Sequence, residues 1–475
     1  MKKASYFPVS IQIDRLSSKG FGVGLAKKTQ GSLQTKMMIP TSVPGDLVIA
    51  EIGPKRKGAY LGKLLEVLKA SPDRRDAVCL HAPVCGGCSL HYMQYEKQLA
   101  YKETIIKELF QPLFLGSISP IEPASLEWRY RNKMEYTFSQ NKEGERFLGL
   151  MKAGTKGRVE NLKECHLAPD WFILVLIAVK KWWDESGLLA FYGMQDVGSL
   201  RNLTVREAKR TGQKMVILTV SGNPAYSLKK EQLNSFVSYV QKALNSESLS
   251  IFLRVQQAIR GQATQFYEMN LLGLDHIEEE LTIACLGYTK SYRFKISPTA
   301  FFQPNTTQAE KLYSKALEMV GLKKRGLILD LYAGTATLGM IFSSFAEKVV
   351  AIELNPYAVF DAEVNRELNN VENLQVYKGD VSAVLKELMA KDSSFSRPDL
   401  IVLDPPRTGL LVDAVEVVLS LKPLEILYIS CAPKEQVRDC LLFQRAGYEV
   451  IAIQPIDQFP HTIHIENILL LRRCV

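Results

Sequence analysis

The chain has 475 residues, too many for one small core and enough for roughly two to four domains. Hydrophobic residues make up 47% and charged residues 23%, which excludes a disordered chain. Lys plus Arg outnumber Asp plus Glu by 59 to 50, a net charge of +9 that suits plain solubility and a polyanionic partner equally well.

Met1-Lys2-Lys3 is basic, but no apolar run follows before Asp14 and Arg15, so no signal peptide is read and a cytoplasmic protein is expected. Residues 1–66 read as a small barrel of β structure. Val9 to Ile13 alternates in the strand manner, and Gly20, Gly22, Gly24 and Gly31 punctuate turns. Leu47 to Ile52 and Tyr60 to Leu68 are further strands, with Lys55, Arg56 and Lys57 on the turn between them. Short strands, glycine turns and a basic loop suit an oligonucleotide-binding barrel, with those three cations as phosphate contacts.

Residues 67–290 form a second region. It opens with a cysteine-rich loop over 71–91 and continues with an amphipathic helix from Tyr95 to Leu113. The apolar stretch Trp171 to Val179 is far too short to span a bilayer, and Lys180 and Lys181 end it, so it reads as a buried helix. Lys214 to Val220 and Ile251 to Gln257 read as strands.

Residues 291–475 change rhythm to strand, turn and helix. Gly326–Leu331 is a buried parallel strand by its continuous apolar run, and Lys348–Glu353, Leu374–Tyr377, Leu400–Leu403 and Ile426–Ile429 follow as strands. The expected fold is a doubly wound α/β domain, whose ligands sit beyond the carboxyl ends of the strands. At those ends stand Asp330-Leu331-Tyr332-Ala333-Gly334, Glu353, Gly379-Asp380 and Asp404-Pro405-Pro406-Arg407. A glycine turn and a later acid would also suit NAD, but G-x-G-x-x-G is absent. Acids at successive strand ends, followed by Asp-Pro-Pro, resemble the class I methyltransferases that use S-adenosylmethionine.

Cys431 follows the last of these strands directly, in Ser430-Cys431-Ala432-Pro433. Pro433 suits the first turn of a helix, so the thiol is expected at a helix N-terminus, where its pKa is lowered. The competing reading is an inert buried cysteine. Carbon 5 of uracil is a poor nucleophile; a thiolate adding at carbon 6 makes carbon 5 reactive, and a carboxylate must later take the carbon 5 proton. Near the carboxyl end Pro460-His461-Thr462-Ile463-His464-Ile465-Glu466 precedes an apolar strand, Asn467 to Leu471. Two histidines without a third ligand make a weak metal site.

Phe302-Gln303-Pro304-Asn305, Asp404-Pro405-Pro406-Arg407-Thr408-Gly409, Ser430-Cys431-Ala432-Pro433 and Pro460 to Glu466, in this order, resemble the RNA 5-methyluridine methyltransferase family. The resemblance implies that Cys431 is the nucleophile and Glu466 the general base. It implies that Gln303, Tyr332, Glu353, Asp380 and Asp404 line the site of S-adenosylmethionine and the target base. Plainer roles compete: Gln303 as a cap for the helix near Thr306, Tyr332 as core, Asp380 as a helix cap. Two departures stand out, Ala432 where the family has asparagine and Ala336 where it has glycine.

Cys79, Cys85 and Cys88 have the spacing C-x5-C-x2-C, and Cys165 is the best fourth ligand. Spacing alone leaves zinc and iron–sulfur open. Cys79 through Cys88, with His91, Tyr95, Gln98, Leu99 and Lys102, resembles the iron–sulfur subgroup of the same family, which favours a [4Fe-4S] cluster on the four cysteines. The first 66 residues resemble the TRAM domain of that subgroup. The resemblance implies a monomeric enzyme acting on a uridine of structured RNA, 23S ribosomal RNA first and the tRNA T-loop second. The rival classes are an amino-group methyltransferase, which places an aromatic where Arg407 stands, and a non-catalytic RNA-binding or chaperone protein on the same scaffold.

Overall fold

The computed structural model describes residues 8–27, 34–56, 58–114, 116–155, 157–258, 261, 264–392, 395 and 397–474. The amino-terminal strands are β1 (Pro8–Gln12), β2 (Arg15–Leu16), β3 (Gly22–Lys27), β4 (Gln34–Ile39), β5 (Leu47–Arg56) and β6 (Ala59–Lys69). They form one sheet in the order β1-β5-β6-β4-β3-β2. Alternation along the strands delivers Ile11, Met37, Ile39, Val48 and Ala50 to a common core. Gly22 and Gly24 lie within β3 rather than at turns: a Cβ there would stand 2.1 Å from Ser42 Oγ and from Gln12 O respectively, so they permit close strand approach. Lys55 and Arg56 end β5, whereas Lys57 and Gly31 fall outside the described residues.

Helix α1 (Tyr95–Phe110) stops three residues before the expected Leu113. It buries Gln98, Lys102, Ile106 and Phe110, one stripe at four-residue spacing, of which half is polar. The middle region contains β7 (Lys133–Gln140), β8 (Arg146–Met151), β9 (Val159–Asn161), α2 (Asp170–Ser186), β10 (Leu200–Glu207), β11 (Lys214–Ser221), the 3-10 turn η1 (Pro224–Tyr226), α3 (Lys230–Leu244), β12 (Leu249–Gln257) and β13 (Gln265–Leu272). Its sheet runs β13-β12-β11-β10-β7-β8-β9. Phe172, Leu176, Trp183 and Phe236 of α2 and α3 pack on Leu203 and Val216 of the sheet.

A hairpin, β14 (Ile277–Cys285) and β15 (Tyr288–Ile296), and helix α4 (Thr306–Val320) follow. They share a core with the last region, through Leu281, Tyr292, Phe294 and Leu312. The boundary expected at 290 therefore falls inside β15. The last region contains β16 (Arg325–Leu331), α5 (Thr337–Ser343), β17 (Ala346–Glu353), α6 (Pro356–Leu368), β18 (Leu374–Lys378), α7 (Val381–Lys391), β19 (Leu400–Leu403), α8 (Val412–Ser420), β20 (Glu425–Ser430), α9 (Pro433–Arg445), β21 (Tyr448–Ile456) and β22 (Glu466–Arg473). The sheet order is β18-β17-β16-β19-β20-β22-β21; β22 alone is antiparallel to its neighbours. Order reverses between β16 and β19, which opens a crevice at their carboxyl ends. No helix among the described residues is long and apolar enough to cross a membrane.

Candidate active site

Four strand ends supply the walls of the crevice. After β16 the chain turns sharply: Tyr332 and Ala336 both hold positive φ, 64° and 55°. Ala336 is the N-cap of α5 and offers no side-chain hydrogen bond. An alanine there bears backbone strain that glycine would not. Glu353, at the end of β17, accepts from Gly334 N at 2.9 Å and from Asn355 N at 2.7 Å, so it braces the turn from the neighbouring strand. Asp380 accepts from Ala383 N at 3.1 Å; the capping role is real, and its carboxylate still faces Tyr332 closely enough to raise the phenol, which burial chiefly holds at about 12.

The acids deeper in the crevice are strongly desolvated. Asp330, in β16, accepts from Gly339 N at 2.8 Å, yet burial lifts its pKa to about 7. Asp404, directly after β19, is lifted to about 7 by burial alone. Glu466, the first residue of β22, is 4% exposed. Burial, with the nearby Asp404 charge, pushes it well above the ordinary carboxylate range, while Arg407 pulls it down.

Cys431 stands between β20 and α9, half-buried and free. β20 and β22 pair at Ser430 and Asn467, which brings the thiol and Glu466 to the same end of adjacent strands. The expected lowering of the thiol pKa is not found. Burial pushes it up to about 11, helped by the Glu466 and Asp404 charges, whereas Arg407, hydrogen-bonding the sulfur, pulls it down. Desolvation thus outweighs the helix terminus, whose effect is of order 1 kcal/mol. Ala432 is the N-cap of α9 and likewise offers no side-chain bond.

Gln303 is buried, and Asn305, not Gln303, caps α4 by accepting from Gln308 N. Gln303 Oε1 instead accepts from Gln458 Nε2 at 3.2 Å, and its side chain also reaches the Tyr313 phenol. Tyr313 is buried, and the charges of Asp404 and Glu466 raise it further. Sequence reasoning missed Tyr313, which stands at an ordinary core position of α4. Arg407 stood within a motif without a role in the reaction, though it hydrogen-bonds the Cys431 sulfur and its charge lowers the proton affinity of Glu466.

A second constellation lies apart from the crevice. Cys79, Cys85, Cys88 and Cys165 line one small cavity of about 30 Å³, together with His81, His91, Trp128 and Glu164. All four are free thiols whose proton affinity burial raises, and Cys165 adds to that of each of the other three. Among the described residues no group of three or more His, Cys, Asp or Glu is arranged to hold a metal ion. His461 and His464 do not form such a site either: His461 stacks on Trp128 with ring centres 3.7 Å apart, and burial holds His464 down to about 4.

A family model described as tRNA (Uracil-5-)-methyltransferase matches residues 230–474. An RNA methyltransferase of Protochlamydia amoebophila is 45% identical, over 92% of this chain and 99% of its own. One from Clostridium acetobutylicum is 34% identical, over 92% and 93%. Among solved structures, the Pyrococcus abyssi tRNA (uracil-54, C5)-methyltransferase in complex with S-adenosyl-L-homocysteine superposes with a TM-score of 0.70 at 24% identity. The match covers 97% of this chain and 99% of that one, and it shows a shared fold.

Proposed function

The chain belongs to the tRNA (uracil-5-)-methyltransferase family and is an RNA methyltransferase; on that premise we propose that it methylates carbon 5 of a uridine in structured RNA through a covalent Cys431 adduct. The observation that carries the proposal is the convergence of Cys431, Arg407, Asp404 and Glu466, each within electrostatic reach of the thiol, at adjacent strand ends. S-adenosylmethionine supplies the methyl group as an electrophile on a sulfonium sulfur. The residues fit that donor: Glu353 and Asp380 flank the first turn where ribose hydroxyls and a purine edge would sit, and Gln303, Tyr332 and Asp404 continue toward Cys431.

Cys431 loses its proton and forms the sulfur–carbon 6 bond, and the ring's double-bond pair moves toward carbon 5 and the 4-carbonyl oxygen. Carbon 5 takes the methyl group as the methyl–sulfonium bond breaks. Glu466 then removes the carbon 5 proton. The electron pair it leaves restores the ring double bond and expels the Cys431 thiolate. Arg407 stabilises that thiolate at both ends of the cycle. Burial, which raises the proton affinity of Glu466, also makes it a stronger base once ionised.

The four-cysteine cavity is the proposed seat of a [4Fe-4S] cluster on Cys79, Cys85, Cys88 and Cys165. Four thiols around one cavity suit iron–sulfur chemistry, and the cluster would staple the cysteine-rich loop to residue 165. Protein purified without oxygen should then carry about four iron atoms per chain; stoichiometric zinc without iron would replace this assignment.

The target reading is 23S ribosomal RNA, on the strength of the amino-terminal barrel and the cysteine set, proposed here as a TRAM-like RNA-binding domain and its neighbour. The tRNA T-loop is the second reading, favoured by the family's description. Mapping 5-methyluridine in both RNAs from cells lacking the protein separates them. Methyl transfer to unmodified RNA in vitro tests the reaction, and modification at an exocyclic nitrogen would overturn it.

A further inference from the structure

Helix α1 buries two polar residues, Gln98 and Lys102, where its spacing calls for apolar ones. Besides Met93 O, which accepts from Gln98 Nε2, their partners lie 355 and more residues away, in the segment joining β21 to β22. That segment, 457–465, is a loop, and loops ordinarily run over the surface. Here Asp457, Gln458 and His461 are 0% exposed. A buried loop must have its polar groups satisfied from outside itself.

The satisfaction is nearly complete and comes from two sides. Lys102 Nζ donates to Asp457 Oδ1 at 2.5 Å and to Phe459 O at 3.1 Å, both partners of the ion pair being fully buried. Tyr95 OH donates to Asp457 Oδ2 at 2.8 Å. His461 holds a left-handed backbone, φ 64°, an uncommon conformation for a residue other than glycine. Its backbone N donates to Gln98 Oε1 at 2.8 Å, and its carbonyl accepts from Leu90 N, in the cysteine-rich loop, at 2.9 Å. Its Nδ1 receives Gln98 Nε2 at 3.1 Å and Arg75 Nη2 at 3.0 Å, so the proton sits on Nε2. Tyr130 OH donates to Pro460 O at 3.0 Å. From the opposite side, Asn305 Nδ2 donates to Gln458 O at 3.1 Å, and Gln458 reaches Gln303.

The loop closes where Ile456 pairs with Glu466. Its conformation therefore fixes the residue read above as the base. We propose that α1 and the cysteine-rich loop form a clamp that sets Glu466 against Cys431, with Gln98, Lys102, Asp457 and His461 as positioning residues. None of the four is argued to touch the reacting atoms. The inference rests on Glu466 being the base, and it makes the integrity of the cysteine site a condition for proton removal rather than for cofactor binding.

The test uses full-length, metal-loaded protein in four variants: Tyr95→Phe, Gln98→Leu, the double variant Lys102→Met with Asp457→Asn, and Glu466→Gln. The double variant removes both buried charges, so that neither is left unpaired. The clamp variants should bind S-adenosylmethionine within about twofold of wild type. Turnover should fall, least in Tyr95→Phe and by roughly 10- to 100-fold in the double variant. A methylated covalent protein–RNA adduct should accumulate on denaturing gels in the same order, because elimination is the slowed step. A purely structural role would lower activity without adduct. Clamp variants with wild-type turnover, or with losses and no adduct, overturn the proposal while Glu466→Gln still traps adduct. Should the double variant fail to fold, Tyr95→Phe and Gln98→Leu decide by the same criterion. Absence of adduct in Glu466→Gln removes the assignment of the base, and the clamp with it.

Discussion

Two sets of desolvated thiols differ in the company they keep. Cys431 has a cation against the sulfur and two carboxylates beside it. The four thiols of the cysteine cavity have one another and the Glu160 and Glu164 carboxylates, with the Arg131 cation favouring ionisation of Cys88 and Cys165. Burial raises the proton affinity of both sets, so burial does not identify the reactive one. The neighbours do. A lone thiol with a guanidinium and proton-accepting groups suits a bond made and broken each cycle. Thiols that oppose one another's ionisation suit a permanent cationic occupant.

The largest expected effect breaks the comparison outright. Cys431→Ala should lower methyl transfer by about 10⁴-fold or more while leaving S-adenosylmethionine affinity nearly unchanged, as calorimetry and single-turnover assays would show. Turnover within tenfold of wild type would place Cys431 with the inert thiols. Next, Cys88→Ser should lose most of its iron and roughly 10- to 100-fold of its activity, with Cys431 still alkylated at the wild-type rate. Retained iron would take Cys88 out of the ligand set. Arg407→Gln should slow turnover roughly tenfold and move the alkylation profile of Cys431 to higher pH, since the cation favouring thiolate is gone.

Smaller effects concern stability. Asp330 is raised from 3.8 to about 7 in the folded state, which therefore binds the proton more tightly than the unfolded chain. Its contribution is full below about pH 4 and is lost as pH rises to about 7, by up to about 1.4 kcal/mol per pH unit across that window. Asp330→Asn, which keeps an acceptor for Gly339 N, should flatten this dependence in chemical denaturation at pH 5 and pH 8. An unchanged slope would mean that the carboxyl stays ionised. Finally, Ala432→Asn should add about 1 kcal/mol by capping α9; a lower denaturation midpoint would show that the amide cannot reach the helix.

The methyltransferase core was legible because parallel strands buried on both faces read as uninterrupted apolar runs that end in polar residues. Leu400–Leu403 emerged with both ends correct, and Cys431 after β20 and Glu466 at the start of β22 stand at the strand ends expected of them. The strand β21 did not emerge, since its Glu449 and Gln454 break the run. Arg407 and Tyr313 escaped because their roles depend on neighbours 10 to 153 residues away, which no local pattern encodes. The proton affinity of Cys431 was misjudged for a related reason: the helix terminus is visible in sequence, whereas the depth of the crevice is not. Gln98 and Lys102 carried a signal that periodicity alone could not interpret, polar residues on a buried stripe.

The antiparallel insertion of β22 has a temporal consequence. β22 lies between β20 and β21 and is synthesised after every other strand of its sheet. While the chain emerges from the ribosome, β20 has no partner on that side, and the thiol stands at an open edge without its carboxylate. The sheet must then admit β22 between two strands already made, in a register where a slip of one residue would turn Glu466 to the opposite face. A nascent chain can thus form the turn after β16 before Glu466 has been brought beside Cys431.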